Sequence, residues 1–180
     1  MLNRPPEPRS SLFWRLLRPA PSRALLVLVA LLWSGFCLAL DHAGHAPTRS
    51  PIPGLRWYRV QAMILPAVLL GMGELASVLA QWRLRRAGIE PTPASSGALR
   101  IALGLPLLCF VVGDALAWRA VGFSALGPYS AALGGIAVLT MLLVATRLLQ
   151  RVHGLTAPRA LTIAAPALII AGVCGSLALR

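Results

Sequence analysis

The chain has 180 residues, of which 57% are hydrophobic and only 12% are charged. A water-soluble domain of this length needs far more polar surface, so the composition argues against a soluble fold and predicts an integral membrane protein. The formal net charge is +12 and all 17 basic residues are arginines. These arginines flank long apolar runs, which favours a membrane-surface role for the charge and excludes nucleic acid as the expected partner.

Residues 1–23 form a basic, proline-rich segment that we expect to be cytoplasmic. Within it, Leu12, Phe13, Leu16 and Leu17 recur at helical spacing, which predicts a short interfacial helix on the inner leaflet. The alternative is a simple basic flank to the first span. A cleaved signal peptide over 1–46 is a third interpretation, but its basic region is long and LAL before Asp41 is a poor cleavage site.

Five apolar segments follow one another along the rest of the chain, the membrane domain 24–180. They cover about 24–40, 60–82, 101–118, 131–146 and 160–179. A bilayer core of about 30 Å needs about 20 helical residues, and the apolar runs are continuous and do not alternate. The predicted fold class is therefore all-α: a polytopic membrane protein with five transmembrane helices.

The arginine distribution predicts the orientation. With the N-terminus in the cytoplasm, twelve arginines fall on the inner side and five on the outer side. The positive-inside rule therefore favours an N-in/C-out topology. Trp82 falls at the inner boundary and Trp118 at the outer one, where amphipathic rings prefer to lie.

The connections between the spans carry two features of interest. Asp41, His42 and His45 precede the second span and are weak candidates for metal ligands, because a lone HxxH beside one acid lacks a fixed third or fourth ligand. The alternative, a polar turn, is favoured, and no metal is expected. The connection 83–100 contains PTPASSG and is predicted to be a flexible linker.

The three cysteines, Cys37, Cys109 and Cys174, all lie in apolar segments. We expect them to be buried free thiols and not disulfides or metal ligands.

Two intramembrane acids stand out. The stretches 66–74 (PAVLLGMGE) and 106–114 (PLLCFVVGD) both follow a leucine and both run from proline to a Gly-acid pair, ending at Glu74 and Asp114. An acid near the bilayer centre costs at least about 2.5–3.5 kcal/mol, so each is a candidate for a proton or cation relay or for a contact with a partner helix. The favoured alternative is structural: two protonated acids that form hydrogen bonds to neighbouring spans. Since the two spans run in opposite directions, the acids differ in depth by about 11 Å, which argues against a shared-proton pair.

The repeated motif is typical of an inverted repeat, although chance is a competing explanation.

The prolines and glycines of the spans predict local helix geometry. Pro66, Pro106 and Pro166 are expected to kink their helices, and Pro66 frees the carbonyl of Ala62, which a neighbouring group must then satisfy. Close helix packing is predicted at the span glycines: Gly71, Gly73, Gly113, Gly134, Gly135, Gly172 and Gly175.

The C-terminal third, RLLQRVHGLTAPRALTIAAPALII, resembles the last two spans of bacterial members of the Yip family, relatives of Rab-interacting Golgi membrane proteins. The stretches LLRPAPSRALLVLVALLW and LRIALGLPLLCFVV resemble the family's first and third spans, so the resemblance covers roughly 12–178. It implies five spans, a cytoplasmic N-terminus and a C-terminus on the opposite side. It implies no catalytic residues, and the trafficking role of the eukaryotic members is not carried over.

No catalytic motif or cofactor fingerprint occurs in the sequence, and His42, His45 and His153 are all predicted to lie in loops. We therefore expect neither enzymatic activity nor a cofactor. Three hypotheses remain: a Yip-like scaffold or interaction protein of a bacterial inner membrane, an accessory subunit of a larger membrane complex, and a small transporter that uses Glu74 and Asp114. The lipid bilayer is the expected partner, and the oligomeric state is open.

Overall fold

The computed structural model describes residues 15–45 and 56–178, and five α-helices account for most of them. The helices are α1 (Pro19–His42), α2 (Trp57–Arg86), α3 (Pro93–Val121), α4 (Leu126–His153) and α5 (Ala157–Ala178). No strand occurs within these two described ranges.

Each of the five helices is long and apolar enough to cross a membrane. They contain 22 to 30 residues, which corresponds to about 33–45 Å of helix against a hydrocarbon core of about 30 Å. The predicted fold class, an all-α membrane protein with five transmembrane helices, is confirmed. All five helices begin earlier than the predicted apolar segments, and α3 begins at Pro93, well before the predicted residue 101.

The start of α3 corrects the prediction of a flexible linker. Thr92 caps the helix: its hydroxyl accepts a hydrogen bond from the Ser95 backbone N–H at 3.4 Å, and the Ser95 hydroxyl accepts one from the Thr92 N–H at 2.9 Å. Pro93 follows at the first helical position, where its missing N–H costs nothing. Serine, threonine and proline are typical of turns and of helix starts alike, and here they start a helix.

Helices that are consecutive in the chain run antiparallel in the bundle. The helix α1 packs on α2 and α3, while α5 packs on α2 and α4, and α3 also packs on α2 and α4. We call the end where α1, α3 and α5 begin the basic end. Its described arginines are Arg15, Arg18, Arg23, Arg83, Arg85, Arg86, Arg100, Arg147, Arg151 and Arg159.

Small side chains allow α5 to approach its neighbours closely. Four alanines at helical spacing are fully buried: Ala160, Ala164, Ala167 and Ala171. The outward faces of the bundle carry large apolar side chains, including Met63, Leu139 and Leu143 at 69%, 63% and 67% exposure. Such faces suit a lipid bilayer and would be costly in water.

All three cysteines are free, but the prediction that they are all buried is wrong for two of them. Cys37 is buried in the bundle, whereas Cys109 and Cys174 are exposed on its surface. The apolar sequence around them reflects contact with lipid as much as burial in protein, because both faces of a membrane helix are apolar.

The segment before α1 is described only from residue 15, so most of the predicted interfacial helix lies outside the described residues. Leu17 is 1% exposed, and its backbone lies directly against Gly97 at the start of α3. This part of the segment therefore packs against the bundle.

Candidate functional site

Glu74 joins three helices near the basic end. Its Oε1 accepts a hydrogen bond from Arg23 Nε of α1 at 2.8 Å, and its Oε2 accepts one from Arg100 Nη2 of α3 at 2.7 Å. Both contacts are ion pairs. A single carboxylate thus holds α1 and α3 to α2.

The two arginines have different surroundings. The Arg100 side chain is 5% exposed, whereas the Arg23 side chain is 54% exposed. The Nε and Nη1 atoms of Arg100 are buried without a hydrogen-bond partner in the described part of the chain. The Glu74 carboxylate is therefore the acidic partner on which burial of Arg100 depends, because an isolated buried charge is strongly unfavourable.

The predicted bounds of the third span, 101–118, leave out Arg100 and therefore do not place it beside Glu74. The predicted third span begins at residue 101, which leaves Arg100 in a loop. In the structure α3 begins at Pro93, so Arg100 lies two turns inside the helix. The wrong helix start concealed the ion pair.

A polar seam continues from Glu74 toward the basic end. Gln81 Nε2 donates to the Ser96 hydroxyl, and the Ser77 hydroxyl donates to the Gly73 carbonyl at 2.7 Å. On the other side of α3, Ser95 Oγ lies 3.1 Å from Nε2 of His153, the last residue of α4. His153 was predicted to lie in a loop and instead helps to join α3 to α4.

Asp114 lies toward the opposite end of α3. It is 9% exposed, and one carboxylate oxygen accepts a hydrogen bond from the Ser130 hydroxyl of α4. Like Glu74, it thus bonds to a neighbouring helix. Ser130 was missed because the predicted fourth span begins one residue later.

A cavity of about 350 Å³ adjoins Asp114. Its polar lining includes Tyr58, Gln61 and Ser124, and its apolar lining includes Trp33 and Phe36. The volume suffices for several water molecules or a small cation. Asp114 supplies the one carboxyl group among the lining residues of this cavity.

The two intramembrane acids therefore belong to different clusters. Glu74 is bound to two arginines, while Asp114 is bound to a serine beside a cavity. The similarity of the two proline-to-acid motifs does not extend to the partners of the acids. The expected absence of a shared-proton pair fits this separation.

Pro66 illustrates how the bundle satisfies a freed backbone group. The helix α2 continues through Pro66, which cannot donate to the Ala62 carbonyl. The hydroxyl of Ser34, on α1, donates to that carbonyl at 2.8 Å within the buried interface. The predicted need for a neighbouring donor is thus met by Ser34, while α3 and α5 likewise continue through Pro106 and Pro166.

Replacing Ser34 by alanine should lower the free energy of unfolding by about 0.5–1.5 kcal/mol, since the Ala62 carbonyl loses its buried donor. Ser176→Ala is the matched control because its hydroxyl bonds within its own exposed helix turn. In a Pro66→Ala background, the backbone N–H of residue 66 can donate to the Ala62 carbonyl. The loss of unfolding free energy caused by Ser34→Ala should therefore be smaller in that background. An unchanged effect in that background would contradict this role for Ser34. Unfolding in detergent–SDS micelles compares the wild-type protein with these variants.

The predicted packing glycines divide into two groups. Four contact neighbouring side chains: Gly73 meets Leu26, Gly113 meets Leu133, Gly134 meets Phe110, and Gly175 meets Met72. The positions of Gly71, Gly135 and Gly172 face open space, where an added methyl group would touch nothing in the described chain. Helical spacing alone does not tell which face of a span is packed.

Two of the three candidate metal ligands, Asp41 and His45, have other contacts. The third, His42, was predicted to lie in a loop and is instead the last residue of α1. Asp41 accepts hydrogen bonds from Arg59, the shorter at 2.9 Å, and pairs more distantly with Arg56. The His45 ring stacks on Phe123 with centroids 4.2 Å apart. Within residues 15–45 and 56–178, no cluster of three His, Cys, Asp or Glu side chains is suited to a metal ion.

The fold defines the class of this protein: an α-helical, multi-pass membrane protein with five candidate spans. Comparisons of the chain with known protein families, with curated proteins and with solved structures found no match.

Proposed function

We propose that the chain is a non-enzymatic membrane protein of scaffold or interaction type, similar to the Yip family, in a bacterial inner membrane. The observation that carries this proposal is the Glu74 ion-pair cluster. A relay carboxylate must exchange its proton or cation partner, whereas Glu74 is held by Arg23 and by the buried Arg100. Its contacts favour a role in holding helices together.

The packing of α4 also supports an interaction role. Of its most apolar stretch only 17% is buried inside the chain, the smallest share among the five spans. This surface is available to lipid or to another membrane protein. An accessory subunit of a larger complex is the closely related alternative.

The proposal is tested by purifying the tagged full-length protein in a gentle detergent and measuring its native mass. A scaffold or interaction protein should appear as a monomer or homo-oligomer with variable amounts of bound protein. A fixed set of stoichiometric subunits would instead assign the chain to the accessory class.

The cavity beside Asp114 supports a second candidate function, proton- or cation-coupled transport. Under the first proposal, neither the wild-type protein nor Asp114→Asn gives flux above that of protein-free vesicles. The variant should fold normally, because the amide oxygen still accepts from Ser130. Loss of flux in a normally folded Asp114→Asn protein would favour transport. Ser176→Ala is the control for handling and reconstitution.

The proposed orientation places the basic end in the cytoplasm, with the C-terminus on the other side. We expect a C-terminal fusion to alkaline phosphatase, which is active only outside the cytoplasm, to be active, and the same fusion after residue 90 to be inactive. The opposite pattern would overturn the N-in/C-out topology.

A further inference from the structure

A second cavity lies at the basic end, between the end of α2 and the start of α5. Its volume is about 530 Å³. Three arginines line it: Arg83, Arg86 and Arg159. None of its lining residues is acidic, so the cavity is a concentrated region of positive charge.

These arginines are available to a ligand. At this end of the bundle, the ion pairs in the described part of the chain join Glu74 to Arg23 and Arg100 and do not involve the three arginines of the cavity. The Arg86 guanidinium carbon lies over the Trp82 ring, 4.1 Å from its centroid. This cation–π contact holds the charge beside the cavity without neutralising it.

The start of α5 adds to the positive potential. Leu155 precedes the helix, while Arg159 and Thr162 lie in its first two turns and line the cavity. The first turn of α5 contains no acidic residue. The positive end of the helix dipole therefore favours an anion at this place.

We infer that this cavity binds the phosphate headgroup of an anionic phospholipid. The cavity lies where two membrane-spanning helices end, beside the half-exposed Trp82. Its wall also contains Ile89, Leu155 and Ile163, which suit the upper part of an acyl chain. Basic pockets between transmembrane helices recognise anionic headgroups in this way, whereas a soluble anion gains nothing from the apolar wall.

The test is lipid binding to the detergent-purified full-length protein, followed by native mass spectrometry. The probes are phosphatidylglycerol, phosphatidylcholine with the same acyl chains, and inorganic phosphate. Phosphatidylglycerol should bind about tenfold or more tightly than phosphatidylcholine. Equal affinities would overturn the proposal, and displacement of phosphatidylglycerol by low millimolar inorganic phosphate would assign the cavity to a free anion instead.

Single substitutions locate the site. Arg159→Gln should weaken phosphatidylglycerol binding about fivefold, and Arg83→Gln provides an independent variant should the first fail to fold. The matched control is Arg85→Gln, which removes one positive charge from the same helix turn as Arg83, but at an exposed position outside the cavity lining. Equal weakening by Arg85→Gln would show general attraction to the basic end and contradict a defined site.

Discussion

Replacing Glu74 by glutamine should lower the free energy of unfolding by about 3 kcal/mol. The substitution preserves the size of the side chain but leaves the Arg100 guanidinium, which is 5% exposed, without its acidic partner. The Glu74 side chain is 41% exposed, so the loss comes from the charge that stays behind on Arg100 in a poorly solvated place. Unfolding of the purified protein in detergent–SDS micelles measures the loss.

Arg23→Gln is the matched control for this prediction. Arg23 pairs with the same carboxylate but is 54% exposed, so its removal should cost only about 0–1 kcal/mol. Equal losses from the two substitutions would show that burial of Arg100 does not decide the energetics. An unchanged free energy of unfolding in Glu74→Gln would show that the ion pair does not stabilise the protein.

Gly97→Ala should be the second most damaging of the simple substitutions, with a loss of about 1–3 kcal/mol. A methyl group at this position would overlap the Leu17 carbonyl oxygen. Since the obstacle is backbone, no side-chain rotation relieves it, and the segment before α1 must move away from α3. Thermal unfolding in detergent checks the result.

The contrasting variant is Gly135→Ala on α4. Nothing lies within 4 Å of a methyl group built at that position, so the substitution meets no steric cost. Alanine is also the better helix former, by about 0.5–1 kcal/mol. Stability should therefore stay the same or rise, and a comparable loss from both substitutions would contradict the packing of Leu17 on Gly97.

The sequence is informative wherever a single segment decides the outcome. The number of helices follows from the lengths of the apolar runs, and the cost of an intramembrane acid singles out Glu74 and Asp114. The free carbonyl of Ala62 follows from Pro66 alone, because proline lacks an N–H. These features need no knowledge of how the helices are arranged.

The residues that the intramembrane acids and the packed glycines contact depend on how each helix is rotated and where it begins, and the local sequence does not determine either. Glu74 meets Arg23 and Arg100, which lie 51 and 26 residues away along the chain. Gly97 lies in the stretch SSGAL, which has the composition of a linker, yet the backbone of Leu17 packs directly against it. Conversely, Gly71 lies in a glycine-rich stretch but faces open space.

The role of the Glu74–Arg100 ion pair is tested most directly by a double-mutant cycle between the two residues. Free energies of unfolding are measured for the wild-type protein, Glu74→Gln, Arg100→Gln and the double variant. If the ion pair holds α2 to α3, the double variant loses less than the sum of the single variants, by about 1.5 kcal/mol or more. Losses that add within about 0.5 kcal/mol would show that the two residues act independently, and would contradict a structural role for the intramembrane acid.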